Sequence, residues 1–388
     1  MPIDLTRREL LAAGAASLLS GFVSGVPSAR AGTAKREVLL GPTRPLLESG
    51  AEYGLGLLDP VRRRAMAIDT GVHGHSAIVR PGVEGRALLF AQRPGTRCCE
   101  VEFSEEGTGG LSRIFESGPG RHFYGHGAYS RDGTHLFATE NSFEDERGVI
   151  TIRDADTLQI LDLFDSHGDG PHEMFFIDRG RTMVVANGGL KTKPSYKHGR
   201  KPYNRDSMRP SLVVIEASSG KLLDRYELEN PFLSIRHLCI SDDGETIAMA
   251  IQDREKGAVF SGGPLLAVRH RGGRVVSMQD ERGIYSRMSH HTLSVALSVE
   301  HSLVATTSPR GDLVAFWSIE TGALQGSVGI EDARGIALAA HGREFVVTTR
   351  QGTVHYIDAE TLLETVPHHG LETENATGWG SHLKGSLG

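Results

Sequence analysis

The sequence predicts an all-β protein built from repeated four-stranded antiparallel units, and two observations carry this prediction. The first is a segment in which a histidine precedes a short strand, a turn usually holding Asp-Gly or Gly, and a second apolar strand. A weaker copy begins at His75, and another, at Arg334, lacks the histidine. The clear copies are "HGAYSRDGTHLFATEN" from His126, "HEMFFIDRGRTMVVANG" from His172, "HLCISDDGETIAMAIQ" from His237 and "HTLSVALSVEHSLVATTS" from His291.

The second observation is a further hairpin after each of these pairs, such as "GVITIRDADTLQILDLF" and "PSLVVIEASSGKLLDRYEL". Each unit therefore has four strands. The starts at residues 75, 126, 172, 237, 290 and 334 are 44 to 65 residues apart. Four-stranded units at this spacing are typical of a β-propeller, in which each blade buries its faces against its neighbours.

The two ends of the chain predict one more blade. The N-terminal "EYGLGLLDPVRRRAMAID" supplies outer strands, and the C-terminal "NATGWGSHLKG" supplies an inner strand that includes His382. Pairing of the two ends would close the ring. We therefore expect a seven-bladed β-propeller as a single domain over residues 32–388, with six or eight blades as the alternatives.

Residues 1–31 are predicted to be a twin-arginine export signal. The stretch "TRRELL" places Arg7 and Arg8 before an apolar run that reaches about Val26, and the small residues Ala29 and Ala31 predict cleavage after Ala31. The alternative is a membrane anchor, but the run is short and rich in Gly, Ser and Ala. No later segment approaches the roughly 20 apolar residues of a membrane span. The mature protein is expected in the periplasm.

Charge and motifs exclude several classes of function. Removal of residues 1–31 takes away Asp4 and Glu9 but also three arginines, so the formal charge changes from −6 to −7, which disfavours nucleic-acid binding. The sequence has no P-loop and no C-x-x-C-H, and "GLGLLD" is not followed by a helix, so neither a nucleotide cofactor nor covalent haem is predicted. It also has no H-E-x-x-H and no G-x-S-x-G.

The three cysteines, Cys98, Cys99 and Cys239, do not form a disulfide framework. We expect buried or inert thiols. A strained disulfide between the adjacent pair, or a redox or metal role, is the alternative.

The repeated histidines predict a metal site in the central channel. The innermost strand of a propeller blade runs along the channel, so residues at its start share one rim. Imidazole suits copper, iron, zinc and nickel, and we expect a transition metal ion, iron or copper. Alternatively, these histidines cap the strand starts. The candidate ligands are His75, His126, His172, His237, His291 and His382, with His290 as the alternative to His291.

Further polar residues are expected around this funnel, because the second strand of each blade returns to the same face. Three long connections, residues 142–148, 188–210 and 253–263, are expected above it, and the second is rich in Lys and Arg, which could guide an anion or an acidic partner. The candidate rim residues are Gln92, Arg93, Glu140, Asn141, Glu173, Asn187, Gln252, Arg334 and Arg350.

The arginine pair, "YGHGAYSRDGTHLFATEN", "GPHEMFFIDRGRTMVVANGG", "LSIRHLCISDDGETIAMA", "SHHTLSVA" and "GWGSHL" resemble an uncharacterised family of twin-arginine-exported bacterial propellers. Members occur beside imelysin-type periplasmic proteins and a di-haem thiol-oxidoreductase-like protein in iron-uptake gene clusters. The wider fold resembles YVTN and quinoprotein amine dehydrogenase-like propellers. The resemblance implies a periplasmic component of iron or copper acquisition.

Three functions follow as hypotheses. The first is a metal-handling protein, expected to be a monomer with periplasmic iron-uptake proteins as partners. The second is an interaction scaffold without chemistry, whose histidines would point into blade interfaces and whose Tyr196 and Tyr203 would be exposed. The third is a metal-dependent enzyme of lactonase or dehydrogenase type, which would need an acid or base with a strongly perturbed pKa.

Overall fold

The computed structural model describes residues 37–46, 52–195, 201–255, 263–366, 368–370 and 377–386. The predicted export signal, residues 1–31, lies outside these ranges and stays a prediction, as does a domain start at residue 32. The described residues belong to one compact unit. No helix in the described ranges is long and apolar enough to cross a membrane.

The described residues form seven sheets. In chain order, the first eleven strands are β1 (Val38–Pro45), β2 (Gly54–Asp59), β3 (Arg64–Asp69), β4 (Gly74–Val79), β5 (Arg86–Ala91), β6 (Arg97–Phe103), β7 (Gly109–Glu116), β8 (Arg121–Tyr129), β9 (His135–Ser142), β10 (Arg147–Asp154) and β11 (Ile160–Asp165). The next eight are β12 (Pro171–Ile177), β13 (Thr182–Asn187), β14 (Ser211–Glu216), β15 (Leu222–Tyr226), β16 (Leu233–Ile240), β17 (Thr246–Asp253), β18 (Leu266–His270) and β19 (Val275–Ser277).

The remaining strands are β20 (Val295–Ser298), β21 (Leu303–Ser308), β22 (Leu313–Ser318), β23 (Leu324–Gly329), β24 (Ala333–Leu338), β25 (Glu344–Thr349), β26 (Val354–Asp358), β27 (Thr377–Trp379) and β28 (Lys384–Ser386). A single turn of α-helix, α1, spans Ile284–Arg287. Short 3₁₀ turns lie at Asp178–Gly180, Arg205–Ser207, Arg271–Gly273 and Glu281–Gly283.

The seven sheets are the blades of a closed ring. Strands β4 to β23 form five four-stranded antiparallel sheets, and β24, β25 and β26 form one three-stranded sheet. The innermost strands β4, β8, β12, β16, β20 and β24 contact one another in that order, and β28 contacts both β24 and β4. The predicted seven-bladed β-propeller is therefore confirmed.

The two ends of the chain close the ring as predicted. Strands β27 and β28 both pair with β1, with Thr43 opposite Trp379 and Leu39 opposite Gly385. The Trp379 indole is fully buried, and a Cβ atom at Gly56 would lie 2.3 Å from its ring. Glycine at position 56 therefore makes room for the side chain that seals the terminal blade.

Alternation along the strands separates the adjacent cysteines. Cys98 packs into one apolar cluster with Leu88 and Phe123, and Cys99 into another with Leu57. Successive strand residues point to opposite faces, so the two thiols cannot meet. All three cysteines are free, and burial raises the pKa of Cys99 to about 11. The predicted burial is confirmed for this pair, and their inertness stays a prediction.

Irregularities in the inner strands position the candidate site. Five inner strands shift register near their starts. A β-bulge of this kind frees residues from strict alternation and re-aims their side chains. At the bulge in β8, Gly125 has φ +109°, and a Cβ atom there would lie 2.3 Å from the His75 ring. The residues left without a cross-strand partner include His75, His126, His172, Glu173, Arg236 and Arg334.

Candidate metal site in the central channel

Five of the six predicted histidine ligands converge in one buried cluster. The ring centres of contacting pairs are separated by 4.1 Å, between His237 and His382, to 5.7 Å, between His75 and His237. Each belongs to a different blade, and none exposes more than 6% of its surface. The five are His75, His126, His172, His237 and His382.

Four of the five have the spacing of a metal site. His75, His126, His237 and His382 each offer one ring nitrogen, and these four atoms lie within 4.8 Å of one another. A tetrahedral ion with metal–nitrogen bonds of about 2.0–2.1 Å would hold its imidazole ring centres about 5 Å apart. The observed separations of these four rings, 4.1–5.7 Å, bracket that value. Their nitrogens, within 4.8 Å of one another, would have to approach to about 3.4 Å to bind one tetrahedral ion.

The ring nitrogens of this cluster are short of hydrogen-bond partners. Buried polar atoms in proteins are nearly always paired, and an unpaired one costs about 1–3 kcal/mol. A bound cation would satisfy several of them at once. The buried nitrogens that have no partner among the described residues are His75 Nδ1 and Nε2, His126 Nε2, His172 Nδ1, His237 Nδ1 and His382 Nε2.

The histidines of the cluster are held in the form that binds metals. Burial, followed by the nearby Arg236 and Arg93, lowers the pKa of His75 to about 3. Burial is also the first cause that lowers the pKa values of His126 and His237 well below their usual range. Neutral imidazole is the ligand form, so no proton has to leave before a metal binds.

A buried carboxylate lies beside two of the rings. Glu173 places Oε1 3.6 Å from His126 Nδ1 and Oε2 3.6 Å from His237 Nδ1. Oε2 also accepts a hydrogen bond from the Leu238 backbone at 2.8 Å, and Oε1 pairs with Lys384. At 3.6 Å these two contacts with the rings are electrostatic rather than hydrogen bonds, so Glu173 places a carboxylate beside His126 and His237 without fixing their tautomers.

The fifth ring, His172, already accepts a hydrogen bond from an arginine. Its Nε2 lies 2.5 Å from Nη2 of Arg236. Arginine only donates, so Nε2 is the acceptor and the proton of the neutral ring lies on Nδ1. His172 therefore lies beside the group of four with its available lone pair already used.

The remaining histidine candidates lie outside this group of four. β20 begins only at Val295, and His291 instead forms an isolated bridge with Gln252. Burial and then Arg310 and Arg254 lower the pKa of His291. His290 follows α1 with φ +52°. The short helix before β20 displaces both residues from the position predicted by the repeats.

The predicted rim residues divide into two sets. Arg93 and Gln252 contact neighbouring polar groups near the cluster, whereas Glu140 lies in a buried ion-pair network, 2.9 Å from Arg121 and 2.8 Å from Arg153. The Glu140 carboxylate is therefore not free to act at the rim as predicted. Among the others, Asn141 donates to the Thr192 carbonyl, Asn187 to the Ser166 carbonyl, and Arg334 to the Asp332 carboxylate. Gln92 and Arg350 donate hydrogen bonds through their backbone amides.

Three basic residues near the cluster were not predicted from the sequence: Arg236, Arg254 and Lys384. Arg236 precedes His237, and strand alternation would turn it away from the channel. The bulge between Ile235 and His237 removes that restriction. The only available signal was its position beside a repeated histidine.

Residues 68–385 match the profile of a family described as "Protein of unknown function (DUF1513)". The chain belongs to this family. The DUF1513 match covers the candidate ligands from His75 to His382. No curated protein sequence matches the chain.

Two solved structures share the fold. One is Kuenenia stuttgartiensis hydrazine synthase, with a TM-score of 0.58 and 13% identity over 79% of this chain and 89% of that chain. The other is a Bacteroides fragilis "putative 6-phosphogluconolactonase", with a TM-score of 0.59 and 12% identity over 91% of this chain and 99% of that chain. At these identities the likeness concerns the fold alone.

Proposed function

We propose that this protein is a periplasmic metal-binding propeller that holds one transition metal ion, iron or copper, through His75, His126, His237 and His382. The observation that carries the proposal is the approach of four buried ring nitrogens to within 4.8 Å of one another. A second group, His355, Glu364 and His368, is largely exposed, and Glu364 already accepts a hydrogen bond from His355 at 2.9 Å. The channel is therefore the stronger candidate.

The donor set favours a first-row transition ion. Imidazole nitrogen suits copper, iron and zinc, whereas magnesium and calcium prefer oxygen. Glu173 places a buried carboxylate beside His126 and His237, and it neutralises Lys384, whose charge would otherwise oppose a cation here. No cysteine contributes to the group of four, so the coordination shell would contain nitrogen and oxygen donors only.

A role in metal acquisition is the biological part of the proposal. It is supported by the predicted twin-arginine signal and by the resemblance to propellers found beside imelysin-type proteins in iron-uptake gene clusters. Periplasmic iron-uptake proteins are the expected partners. The scaffold hypothesis required the histidines to point into blade interfaces, and the convergence of five rings disfavours it.

The test is metal titration of the metal-free protein with Fe(II), Cu(II) and Zn(II), each in competition with a chelator of known affinity. One ion per chain is expected, and X-ray absorption should show nitrogen or oxygen donors at roughly 2.0–2.1 Å and no sulfur. A His126→Gln/His237→Gln variant should lose the site. His135→Gln, at an exposed position, is the matched control. Equal metal binding by the double variant and the parent would overturn the proposal.

A further inference from the structure

Arg236 is a buried cation without a carboxylate partner. It exposes 5% of its surface, and one of its donors is used by His172. Its Nε and Nη1 atoms are buried and have no hydrogen-bond partner among the described residues. No described carboxylate forms an ion pair with it. A buried guanidinium normally pairs with an anion, because removing the charge from water is costly.

Two more arginines lie close to Arg236. Burial, then Arg93 and then Arg254, lower the pKa of Arg236, and no carboxylate offsets them. Burial, Arg93 and Arg310 likewise lower the pKa of Arg254 to about 9. Neither Arg93 nor Arg254 forms an ion pair with a described carboxylate. Arg93 contacts Tyr124, whose ring lies 5.9 Å from that of His172, the partner of Arg236. Arg254 follows Asp253, which pairs with Leu233 in β16, the strand of Arg236.

Each of these guanidinium groups is positioned by one contact and keeps other donors. Arg93 donates to the Tyr124 hydroxyl at 3.0 Å, and Tyr124 donates to the Leu190 carbonyl at 2.7 Å. Arg254 donates to Gln252, whose amide nitrogen donates to the Thr292 carbonyl at 2.7 Å. The Nε atom of Arg254 is buried and without a hydrogen-bond partner. The arginines are therefore held in place with donors to spare.

The contrast with Arg334 supports this interpretation. Arg334 lies 2.7 Å from Asp332 and so has its own counter-ion. Arg121 and Arg153 likewise pair with Glu140. Each of these three arginines therefore has an acid as its partner. The absence of one among the described neighbours of Arg93, Arg236 and Arg254 leaves that role to a ligand.

We propose that Arg93, Arg236 and Arg254 form a binding site for the oxyanionic group of a small molecule, a carboxylate or a phosphate. Arginine's planar fork donates to both groups in a bidentate manner. The site is joined to the histidine cluster by the contact between Arg236 and His172. Because it uses donors on arginine alone, it binds its anion whether or not a metal is present.

The test is isothermal titration calorimetry of the metal-free protein at low ionic strength, with inorganic phosphate in one arm and citrate in another. Glycerol serves as the neutral control. We expect saturable binding with a Kd below about 1 mM for at least one of the two anions. The anion that binds more tightly identifies the preferred group as a phosphate or a carboxylate. No binding of either anion up to about 10 mM would overturn the proposal.

Substitutions locate the binding. Arg236→Met should lower the affinity for the more tightly bound anion by at least about tenfold, because it removes the central charged donor. If that variant does not fold, Arg93→Gln/Arg254→Gln is used instead. Both positions are only half-buried, so this double variant is expected to fold. Arg131→Gln, at an exposed position, is the matched control. Undiminished binding in the folded channel variants would contradict the assignment. Because the protein is metal-free, failure here leaves the metal proposal standing.

Discussion

Arg236 donates a hydrogen bond to His172, with 2.5 Å between Nη2 and Nε2, and this contact links the histidine cluster to the channel arginines. The four other histidines have their nitrogens within 4.8 Å of one another. Arg93 and Arg254 are the charged groups that most lower the pKa of Arg236. A lone pair already engaged by arginine is not available to a metal, so His172 is expected to behave differently from its four neighbours.

His172→Gln should therefore retain most of the metal affinity, within about tenfold of the parent, whereas His126→Gln should lose far more. The glutamine carbonyl can still accept from Arg236, while a missing imidazole ligand cannot be replaced. Competition titrations of the two variants against the parent give the comparison. Equal losses would show that His172 is a ligand.

Glu173→Gln should weaken metal binding roughly 10- to 100-fold without removing a ligand. The substitution keeps the shape of the side chain but removes the negative charge beside His126 and His237. X-ray absorption should show unchanged metal–ligand distances in this variant. Glu100→Gln, a buried carboxylate beside Arg113, is the control and should leave the affinity unaltered. Unchanged affinity in Glu173→Gln would mean that the carboxylate does not act on the metal.

The metal-free protein should lose stability as the pH falls below about 6.5. The clustered histidines have lowered pKa values in the folded state, so the unfolded chain takes up protons that the folded chain does not. At pH 5.5, each histidine that stays neutral accounts for a loss of about 1.4 kcal/mol relative to neutral pH. Urea unfolding at pH 7.5 and 5.5 measures the difference.

His126→Asn is the internal comparison for this pH dependence. Asparagine does not titrate, so the variant should lose less stability between pH 7.5 and 5.5 than the parent. The expected difference is about 1.4 kcal/mol, the share of one histidine. Identical pH dependence in the two proteins would contradict the neutral state of His126.

Trp379→Ala should destabilise the protein by about 3–5 kcal/mol. The indole is fully buried where β27 pairs with β1, so its loss leaves a cavity at the closure of the ring. Urea unfolding of Trp379→Ala is compared with Leu363→Ala, a control at a position that is 68% exposed. Similar stability of the two variants would mean that the terminal blade does not depend on this side chain.

Export can be tested separately. Arg7→Lys/Arg8→Lys should keep the protein out of the periplasm, because the paired arginines are the feature of the leader that the pathway reads. N-terminal sequencing of the exported parent should begin at Gly32. Normal export of the double variant would contradict the predicted signal.

The fold could be predicted because its signal repeats. Each blade contributes alternating strands and turns, and the histidines that begin four of these repeats, together with His382, mark the channel. Closure of the ring by the two ends of the chain was also readable, but β1, the strand that pairs with "GWG", was not predicted. Strand and turn chemistry is local, so sequence reports it well.

Side-chain direction at the channel could not be read in the same way. His291 falls away from the group of four because α1 and a turn precede β20. Arg236 joins the channel because β16 bulges, and Glu140 is taken up by Arg121 and Arg153 from neighbouring strands. Bulges and long-range ion pairs depend on contacts between distant segments, which a periodic pattern does not encode.

The metal site is tested most directly by metal analysis of the untagged protein, purified in parallel with the His126→Gln/His237→Gln variant. The predicted result is close to one iron or copper ion per chain in the parent and none in the variant, with both proteins folded by circular dichroism. A parent that contains no metal, and takes up none from iron, copper or zinc, would contradict the metal site.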